Sequence, residues 1–299
     1  MCQYANMPIK FIGKLANWQI KTLNIMAVTM ADITHLRKMT GAGMMDCKNA
    51  LNEADNDYDK AVEIIRKKGQ AVAAKREDRE ASEGCCIAAT KGNFAAIVAL
   101  KCETDFVAKN ADFIALTRSI LDAALENEPK NVEELNALTI NGTSIAQLVV
   151  ERIGITGEKM EIGAYEYLSA PTTIAYIHPG NKLSTIVGLN QANVEVQVAK
   201  DVAMQVAAMN PVAISEEGIS QEIIDRELKI AREKAQEQGR PEAILDRIAE
   251  GAVVKYFEDN TLLAQAFIKD AKITVEQYLQ KQNKELTVVD FKRVTLNVD

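Results

Sequence analysis

The side chains able to carry covalent chemistry are few in this sequence, and they stand apart from one another. The two histidines, His35 and His178, have no cysteine or carboxylate beside them at metal-ligand or triad spacing. Cys102 is a candidate nucleophile because the adjacent Lys101 favours a thiolate, but no general base accompanies it. Free cysteine is more commonly a small buried hydrophobic residue, and the five cysteines form no metal-binding spacing. We therefore expect neither a metal nor a cofactor.

A second candidate is the glycine-rich segment Thr40-Gly41-Ala42-Gly43. It follows a predicted helix instead of a strand, and no Lys-Ser or Lys-Thr pair comes after it. A turn that ends a helix is therefore favoured over a phosphate-binding loop.

The third candidate is the segment 103–110, which places the apolar ring of Phe106 beside the carboxylate of Asp105. In one interpretation Thr104 or Asp105 caps the helix that begins near Asn110, while Phe106 packs beneath it as a hydrophobic staple. In the other, Phe106 is exposed and fits a pocket of a partner, which would recover the burial energy that exposure forgoes. The residues alone leave both interpretations open.

Composition excludes several classes of protein. The 299 residues include 42 acidic and 35 basic side chains, so the net charge is -7 and binding of nucleic acid by bulk charge is not expected. The longest apolar run, Phe94–Leu100, is far short of the roughly 18 residues that a membrane span needs. An odd number of cysteines favours a reducing, cytoplasmic compartment.

Residues 1–29 are interpreted as an extension, either a non-native start or a disordered segment. They carry three lysines and no acidic residue, and they lack the apolar stretch and cleavage site of a signal peptide. Met26 and Met30 both offer suitable starts. Targeting is the alternative interpretation.

After this extension, apolar residues recur at helical spacing and predict three short helices. The first ends at the two glycines. Asp46 is a candidate cap of the second, and Asp57 or Asp59 of the third, which we expect to end near Gly69. The charged, alanine-rich segment 71–81 predicts a further, solvated helix.

The period then changes to that of strands. Residues 85–91, a Gly92-Asn93 turn and residues 94–102 predict a hairpin followed by an amphipathic helix. The same order returns over 174–189 around a Pro179-Gly180-Asn181 turn, so we expect an internal duplication. The predicted fold class is α+β, with two duplicated core subdomains, each an antiparallel sheet plus helices, over 85–140 and 141–299.

A helical coiled-coil hairpin is predicted as an insert in the second subdomain, at about 215–260. Apolar residues at alternating spacings of 4, 3 and 4 form its seam, namely Ile224, Leu228, Ala231 and Ala235. Gly239 and Pro241 separate its two helices. A final helix over 274–282 and a strand over 291–298 complete the predicted elements, and we expect the strand to close the second sheet.

Two of these segments resemble the signatures of one family, elongation factor Ts. Residues 36–51 (LRKMTGAGMMDCKNAL) resemble its N-terminal signature, and residues 102–109 (CETDFVAK) its second. The order of modules is similar from about Met30 to the last residue. The resemblance implies that residues 30–84 form a ubiquitin-associated-like helical domain and its connector.

The resemblance also implies a function. Members bind elongation factor Tu, in its GDP-bound and nucleotide-free forms, and promote GDP release by disturbing magnesium and phosphate coordination, which allows GTP loading. This is nucleotide exchange by binding, so the protein would not be an enzyme and would not bind nucleotide itself. The residues that match the family's magnesium-dislocating segment are Thr104, Asp105, Phe106 and Val107. Those that match its helical-domain contact are Gly41, Ala42, Gly43, Met44, Met45 and Asp46.

Other interpretations remain open at this point. In some relatives the coiled coil mediates self-association or contacts the partner, so the resemblance allows a homodimer and leaves the role of the hairpin open. An RNA-binding translation accessory protein would use the basic residues over 66–79, and its RNA affinity would fall steeply with salt. A thiol-dependent enzyme would depend on Cys102. We expect no nucleic acid and no membrane among the partners.

Overall fold

A computed structural model describes residues 28–297 and divides them into two compact units. The helical unit comprises residues 28–77 and 150–157, and the core unit comprises residues 78–149 and 158–297. Residues 1–27 of the predicted extension lie outside the described residues.

The helical unit contains the three predicted helices, α1 (Met30–Thr40), α2 (Met44–Glu53) and α3 (Tyr58–Lys75). Gly41 ends α1 in the left-handed region, with φ 71°, which confirms the helix-ending turn. Asp57 begins α3, since its side chain accepts a hydrogen bond from Lys60 N. Small and aliphatic side chains fill the interior: Ile33, Leu36, Ala42, Cys47, Ala50, Leu51, Ala54 and Ala61.

The predicted cap of α2 is wrong. Gly43 occupies the N-cap position, and Asp46 lies in the first turn, where its carboxylate accepts a hydrogen bond from the Lys68 ammonium. The left-handed Gly41 turns the chain, and only three residues separate the end of α1 from the start of α2.

The predicted end of the third helix at Gly69 is also wrong, and so is the separate helix over 71–81. Helix α3 continues through Gly69 to Lys75, and residues 76–82 are not helical. Gly69 lies against Gly154, so closely that a Cβ on Gly154 would come within 2.7 Å of the Gly69 Cα. The glycine therefore permits the close approach of two helices instead of ending one.

The remaining elements mix short strands with helices, and the fold class is α+β. In chain order they are β1 (Glu83–Lys91), β2 (Phe94–Cys102), α4 (Asp105–Ala108), α5 (Ala111–Asn127), α6 (Val132–Ala137), β3 (Thr139–Ile140), β4 (Thr143–Ser144), α7 (Ile145–Thr156), β5 (Met160–Ser169), β6 (Thr172–Ile177), β7 (Leu183–Leu189), α8 (Val196–Met209), a single 3-10 turn (Glu216–Gly218), α9 (Gln221–Glu237), α10 (Glu242–Asn260), β8 (Ala266–Phe267), β9 (Asp270–Thr274), α11 (Val275–Gln282) and β10 (Val288–Thr295).

The two predicted hairpins are confirmed, and each belongs to a three-stranded antiparallel sheet. The first sheet has the order β1-β2-β5, and the second has the order β10-β7-β6. As predicted, α5 and α8 follow the hairpins, and the last strand joins the second sheet. Strand β5 has no counterpart in the sequence analysis. It lies beyond residue 140, so the first sheet draws on both predicted subdomains.

The sheets pack on each other through alanine and aliphatic side chains. Ala95, Ile97 and Leu168 from the first sheet share a buried cluster with Ile186 and Val294 from the second. A further cluster lies under α8, where Val198, Val202 and Val206 pack against the second sheet and α11. These layers hold β2 and β5 in place, and the candidate site described below lies at the ends of these two strands.

Helices α9 and α10 form the predicted helical hairpin, and Ala235, Leu245, Ala249 and Val253 are buried in it. On α10 the buried residues follow a spacing of four, and the coiled-coil character of the pair stays a prediction. Arg232 of α9 forms ion pairs with Glu242 and Asp246 of α10. Among residues 28–297, no helix is both long enough and apolar enough to cross a bilayer.

Candidate functional site

Strand β2 ends in a tight turn that carries the predicted site. The single-turn helix α4 starts one residue after Thr104, whose hydroxyl accepts a hydrogen bond from Val107 N at 3.4 Å. Ala108 is buried and Val107 is half-buried, so one side of the turn faces the interior of the core unit. Thr104 to Val107 are thus brought together in one capped turn.

Phe106 points out of this turn and is 85% exposed, the largest exposure of any large apolar side chain in the described chain. The staple interpretation is therefore wrong. Helix α5 has its own cap, because Asn110 Oδ1 accepts hydrogen bonds from Asp112 N and Phe113 N. Phe113, not Phe106, is the ring that packs in the interior.

The carboxylate beside Phe106 is held in its charged form. Lys109 Nζ lies 2.7 Å from Asp105 Oδ2, one helical turn away. Hydrogen bonding and charge from Lys109 keep the pKa of Asp105 below its usual value, and Lys182 adds to the effect. The exposed rim of the turn therefore combines an apolar ring with a fixed anion.

The base of the turn is anchored by two glutamates. Glu158 accepts a hydrogen bond from Thr104 N at 3.0 Å and another from the Thr104 hydroxyl at 2.6 Å. Glu103 accepts one from Lys159 N at 2.7 Å. These contacts join two segments that lie more than fifty positions apart in the chain.

Cys102 does not have the surroundings of a nucleophile. Its side chain is fully buried, and burial, together with the negative charge of Glu158, raises the pKa of its thiol to about 12. The thiol donates a hydrogen bond to the carbonyl oxygen of Thr104 at 3.3 Å. A thiol in this state is protonated at neutral pH, so the packing interpretation is the one that the structure supports.

The second predicted contact segment lies in the helical unit, between α1 and α2. Met44 and Met45 are exposed there, as is the neighbouring Met39. Ala42 is buried in the interior of the unit, so it shapes the segment from within. Asp46 is engaged by Lys68.

The other candidates for chemistry do not assemble into a site. His35 and His178 are exposed and lie beside Tyr58 and Tyr176, respectively. Over residues 28–297, no three or more histidine, cysteine or acidic side chains are grouped so that they could hold a metal ion.

Sequence reasoning missed Glu103 and Glu158 as parts of the site. Glu158 lies two residues before β5, a strand that the sequence analysis did not predict, so no local pattern linked it to Thr104. The only available signal was for Glu103, which stands inside the second signature.

Comparison with known proteins gives a consistent result. A family model described as elongation factor TS matches residues 103–297, which include the capped turn at residues 104–108, here called the Phe106 turn. The chain is 64% identical to elongation factor Ts of Porphyromonas gingivalis over 275 residues, covering 92% of this chain and all of that protein. The corresponding identities are 60% for Azobacteroides pseudotrichonymphae and 46% for Bacteroides fragilis, again with 92% of this chain and all of each relative covered. The chain therefore belongs to the elongation factor Ts family of translation elongation factors.

Proposed function

We propose that this protein is a guanine-nucleotide exchange factor for elongation factor Tu. In this proposal the Phe106 turn enters the nucleotide domain of elongation factor Tu, where the ring wedges between helices. Magnesium and phosphate coordination is disturbed, GDP leaves, and GTP binds to the vacated site. The protein acts by binding and performs no covalent step.

The exposure of Phe106 is the observation that carries this proposal. Burying a phenylalanine side chain stabilises a protein by about 1.5–3 kcal/mol, and the exposed ring forgoes this free energy in the isolated chain. A hydrophobic pocket in a partner recovers it on binding, as is typical of aromatic hot spots. Asp105 sits beside the ring with its charge fixed and is suited to interact with cations or hydrogen-bond donors of the partner.

The sparse chemistry of the chain fits such a role. An exchange factor only needs to bind the nucleotide-free partner more tightly than the GDP-bound partner. The coupling is reciprocal, so the factor weakens GDP binding as much as GDP weakens binding of the factor. Each tenfold change in affinity corresponds to about 1.4 kcal/mol. An apolar ring inserted between packed helices supplies such a bias, because packed interfaces change between discrete arrangements.

A second contact is proposed for the segment between α1 and α2. The exposed Met44 and Met45 provide flexible apolar surface for the same nucleotide domain. Gly41 and Gly43 set the geometry of the segment, and the buried Ala42 fixes its inner side.

The finer organisation also rests on the family resemblance. Residues 30–84 are proposed to be a ubiquitin-associated-like domain with its connector, and α9 and α10 a coiled coil able to pair two copies of the chain. The two core subdomains are proposed as above, with β5 assigned to the first because it pairs with β2. The protein is proposed to act in the cytoplasm, where translation takes place.

The decisive experiment measures release of a fluorescent GDP analogue from purified elongation factor Tu in excess unlabelled GDP. Three factors are compared at several concentrations: the native chain, Phe106→Ala, and Val254→Ala. Val254 is also an exposed apolar side chain, but it lies on α10. We expect acceleration by the native chain and by Val254→Ala, and at least tenfold less acceleration by Phe106→Ala, since about 1.4 kcal/mol or more is lost.

Two results would contradict the proposal. No acceleration by a folded native chain at micromolar concentration would exclude the exchange function. Full acceleration by Phe106→Ala would keep the function but remove the proposed role of the ring.

A further inference from the structure

We propose that Glu103 and Glu158 are positioning residues that hold the Phe106 turn in the orientation needed for exchange. Together they are called the carboxylate clamp. Both residues are half-buried, whereas Phe106 is exposed, and both act through the turn that carries the ring. The inference rests on the proposed function, and it assigns roles to two side chains at the base of the site.

The clamp extends the hydrogen-bond ladder between β2 and β5, with side-chain carboxylates as the acceptors. The two strands pair in antiparallel register, with Lys101 opposite Glu161 and Cys102 opposite Met160. In the same register, the next two pairs are residue 103 with 159 and residue 104 with 158. In each of these pairs, the carboxylate of the glutamate accepts a hydrogen bond from the backbone N–H of the opposite residue.

Because side-chain carboxylates replace backbone carbonyl oxygens as acceptors, the chain can leave the sheet while its backbone N–H groups stay hydrogen-bonded. Backbone N–H groups need acceptors when they are partly buried, and a carboxylate supplies a stronger one than a carbonyl does. Because the acceptors stand on flexible side chains, the backbone after Glu103 is free to bend into α4. The sheet therefore ends at Cys102 while its register still determines where Thr104 lies.

Thr104 links the clamp to the ring. Its hydroxyl donates to Glu158 and at the same time accepts from Val107 N, the amide that follows Phe106. Its backbone N–H donates to the other oxygen of the same carboxylate. Two hydrogen bonds to one carboxylate fix the orientation of Thr104, and the cap passes this orientation on to the turn.

The turn needs external support because it is short. Helix α4 has four residues, well below the length at which a helix is stable by itself in water. A mobile turn would have to be ordered each time that Phe106 entered the partner, and this ordering opposes binding. The clamp orders the turn in advance.

The first test uses the protein alone. Amide hydrogen exchange is compared in the native chain, Glu158→Ala, Glu158→Gln and the control Glu161→Gln. The control removes a carboxylate charge only three residues away, within β5, and that carboxylate pairs with the Lys159 ammonium. In Glu158→Ala we expect the hydrogen-bonded amides of Thr104, Val107 and Ala108 to exchange about tenfold faster or more, while β2 and β5 stay protected. Glu158→Gln keeps one acceptor oxygen, so its amide exchange rates should lie between those of the native chain and those of Glu158→Ala.

The second test is a double-mutant cycle in the GDP-release assay. Glu158→Ala is expected to lower the acceleration about tenfold in the native background and less than about twofold in the Phe106→Ala background. A residue that merely stabilised the fold would lower it equally in both backgrounds. Glu103→Gln is expected to act in the same direction with a smaller effect, because it loses a single charged acceptor.

The outcomes separate the clamp from the exchange function. Unchanged exchange of the amides of Thr104, Val107 and Ala108 in Glu158→Ala would overturn the clamp, and so would equal losses of GDP-release acceleration in both backgrounds. If the native chain fails to accelerate GDP release, the exchange function fails, whereas the first test still decides whether the carboxylates order the turn. If Glu158→Ala does not fold, Thr104→Val takes its place, since it removes the shared hydroxyl and is expected to loosen the same amides.

Discussion

At the scale of single residues, the Phe106 turn divides its tasks among neighbouring side chains. Thr104 caps the turn, Asp105 supplies charge, Phe106 supplies exposed apolar surface and Ala108 packs inward. The sequence predicted this combination of residue types but not the direction of the ring. Thr104 and Asn110 are both suitable caps, and only the structure shows that each caps a different helix. With two caps so close together, local patterns cannot decide which ring is buried.

A capping box at the start of α1 gives a prediction at the same scale. Thr29 Oγ1 accepts from Asp32 N, and Asp32 Oδ2 accepts from Thr29 N at 2.9 Å. Thr29→Ala should lower the free energy of unfolding of the helical unit by about 1 kcal/mol, as measured by hydrogen exchange of α1 amides. Thr34→Ala is the control, because the Thr34 hydroxyl only bonds to a carbonyl of its own helix. An equal loss in both variants would contradict the role of the cap.

The same box has a defined pH dependence. Hydrogen bonds from Thr29, and then from Tyr58, lower the pKa of Asp32 from 3.8 to about 2. A depressed carboxyl pKa stabilises the folded state above the unfolded pKa, and this contribution is lost as the pH falls. The stability difference between the native chain and Asp32→Ala should therefore shrink between pH 4 and pH 2. A difference that stays constant over this range would contradict the prediction.

At the scale of elements, the hairpins were predictable and the long-range partners were not. The Gly92 turn between two apolar segments is a local signal, and the chain uses it as expected, with φ 59°. Gly69 also looked like a local signal, but its role depends on Gly154, which is distant in the sequence. Strand β5 was missed because its half-exposed residues give no clear alternation. Tertiary contacts, invisible in one sequence, decided both cases.

Helical glycines provide a matched test of this interpretation. A Cβ on Gly154 would lie 2.7 Å from the Gly69 Cα, so Gly154→Ala should destabilise the helical unit by about 1–3 kcal/mol. Gly251 lies within α10, and a Cβ added there would meet no neighbouring segment within 4 Å, so Gly251→Ala should stabilise the chain by about 0.5–1 kcal/mol. Denaturant unfolding measures both. A stabilising Gly154→Ala would show that α3 and α7 do not need their close approach.

At the scale of the whole molecule, the two units differ in the packing that stabilises each of them. The helical unit contains α1 to α3 and the end of α7, and its interior is rich in alanine. The core unit has two three-stranded sheets, and its larger buried clusters include Ile97, Ile186 and Val202. A small unit buries a smaller fraction of its surface, so its stability is lower.

We therefore expect unequal stability across the chain. Native-state hydrogen exchange should give a lower opening free energy for the amides of α1 to α3 than for those of β2 and β7. Loss of the helical unit should thus precede loss of the sheets in a denaturant series, and unfolding should depart from two-state behaviour. One common opening free energy for both sets of amides would contradict this expectation.

The helical unit is assembled from two separate stretches of chain, since residues 150–157 join residues 28–77. During synthesis the first stretch leaves the ribosome well before the second, so the packing of Gly69 against Gly154 waits until much of the first sheet has been made. A fragment that ends near residue 84 would lack this packing permanently. Nascent chains stalled at increasing lengths should therefore gain protease resistance in α3 only once residue 157 is free of the exit tunnel.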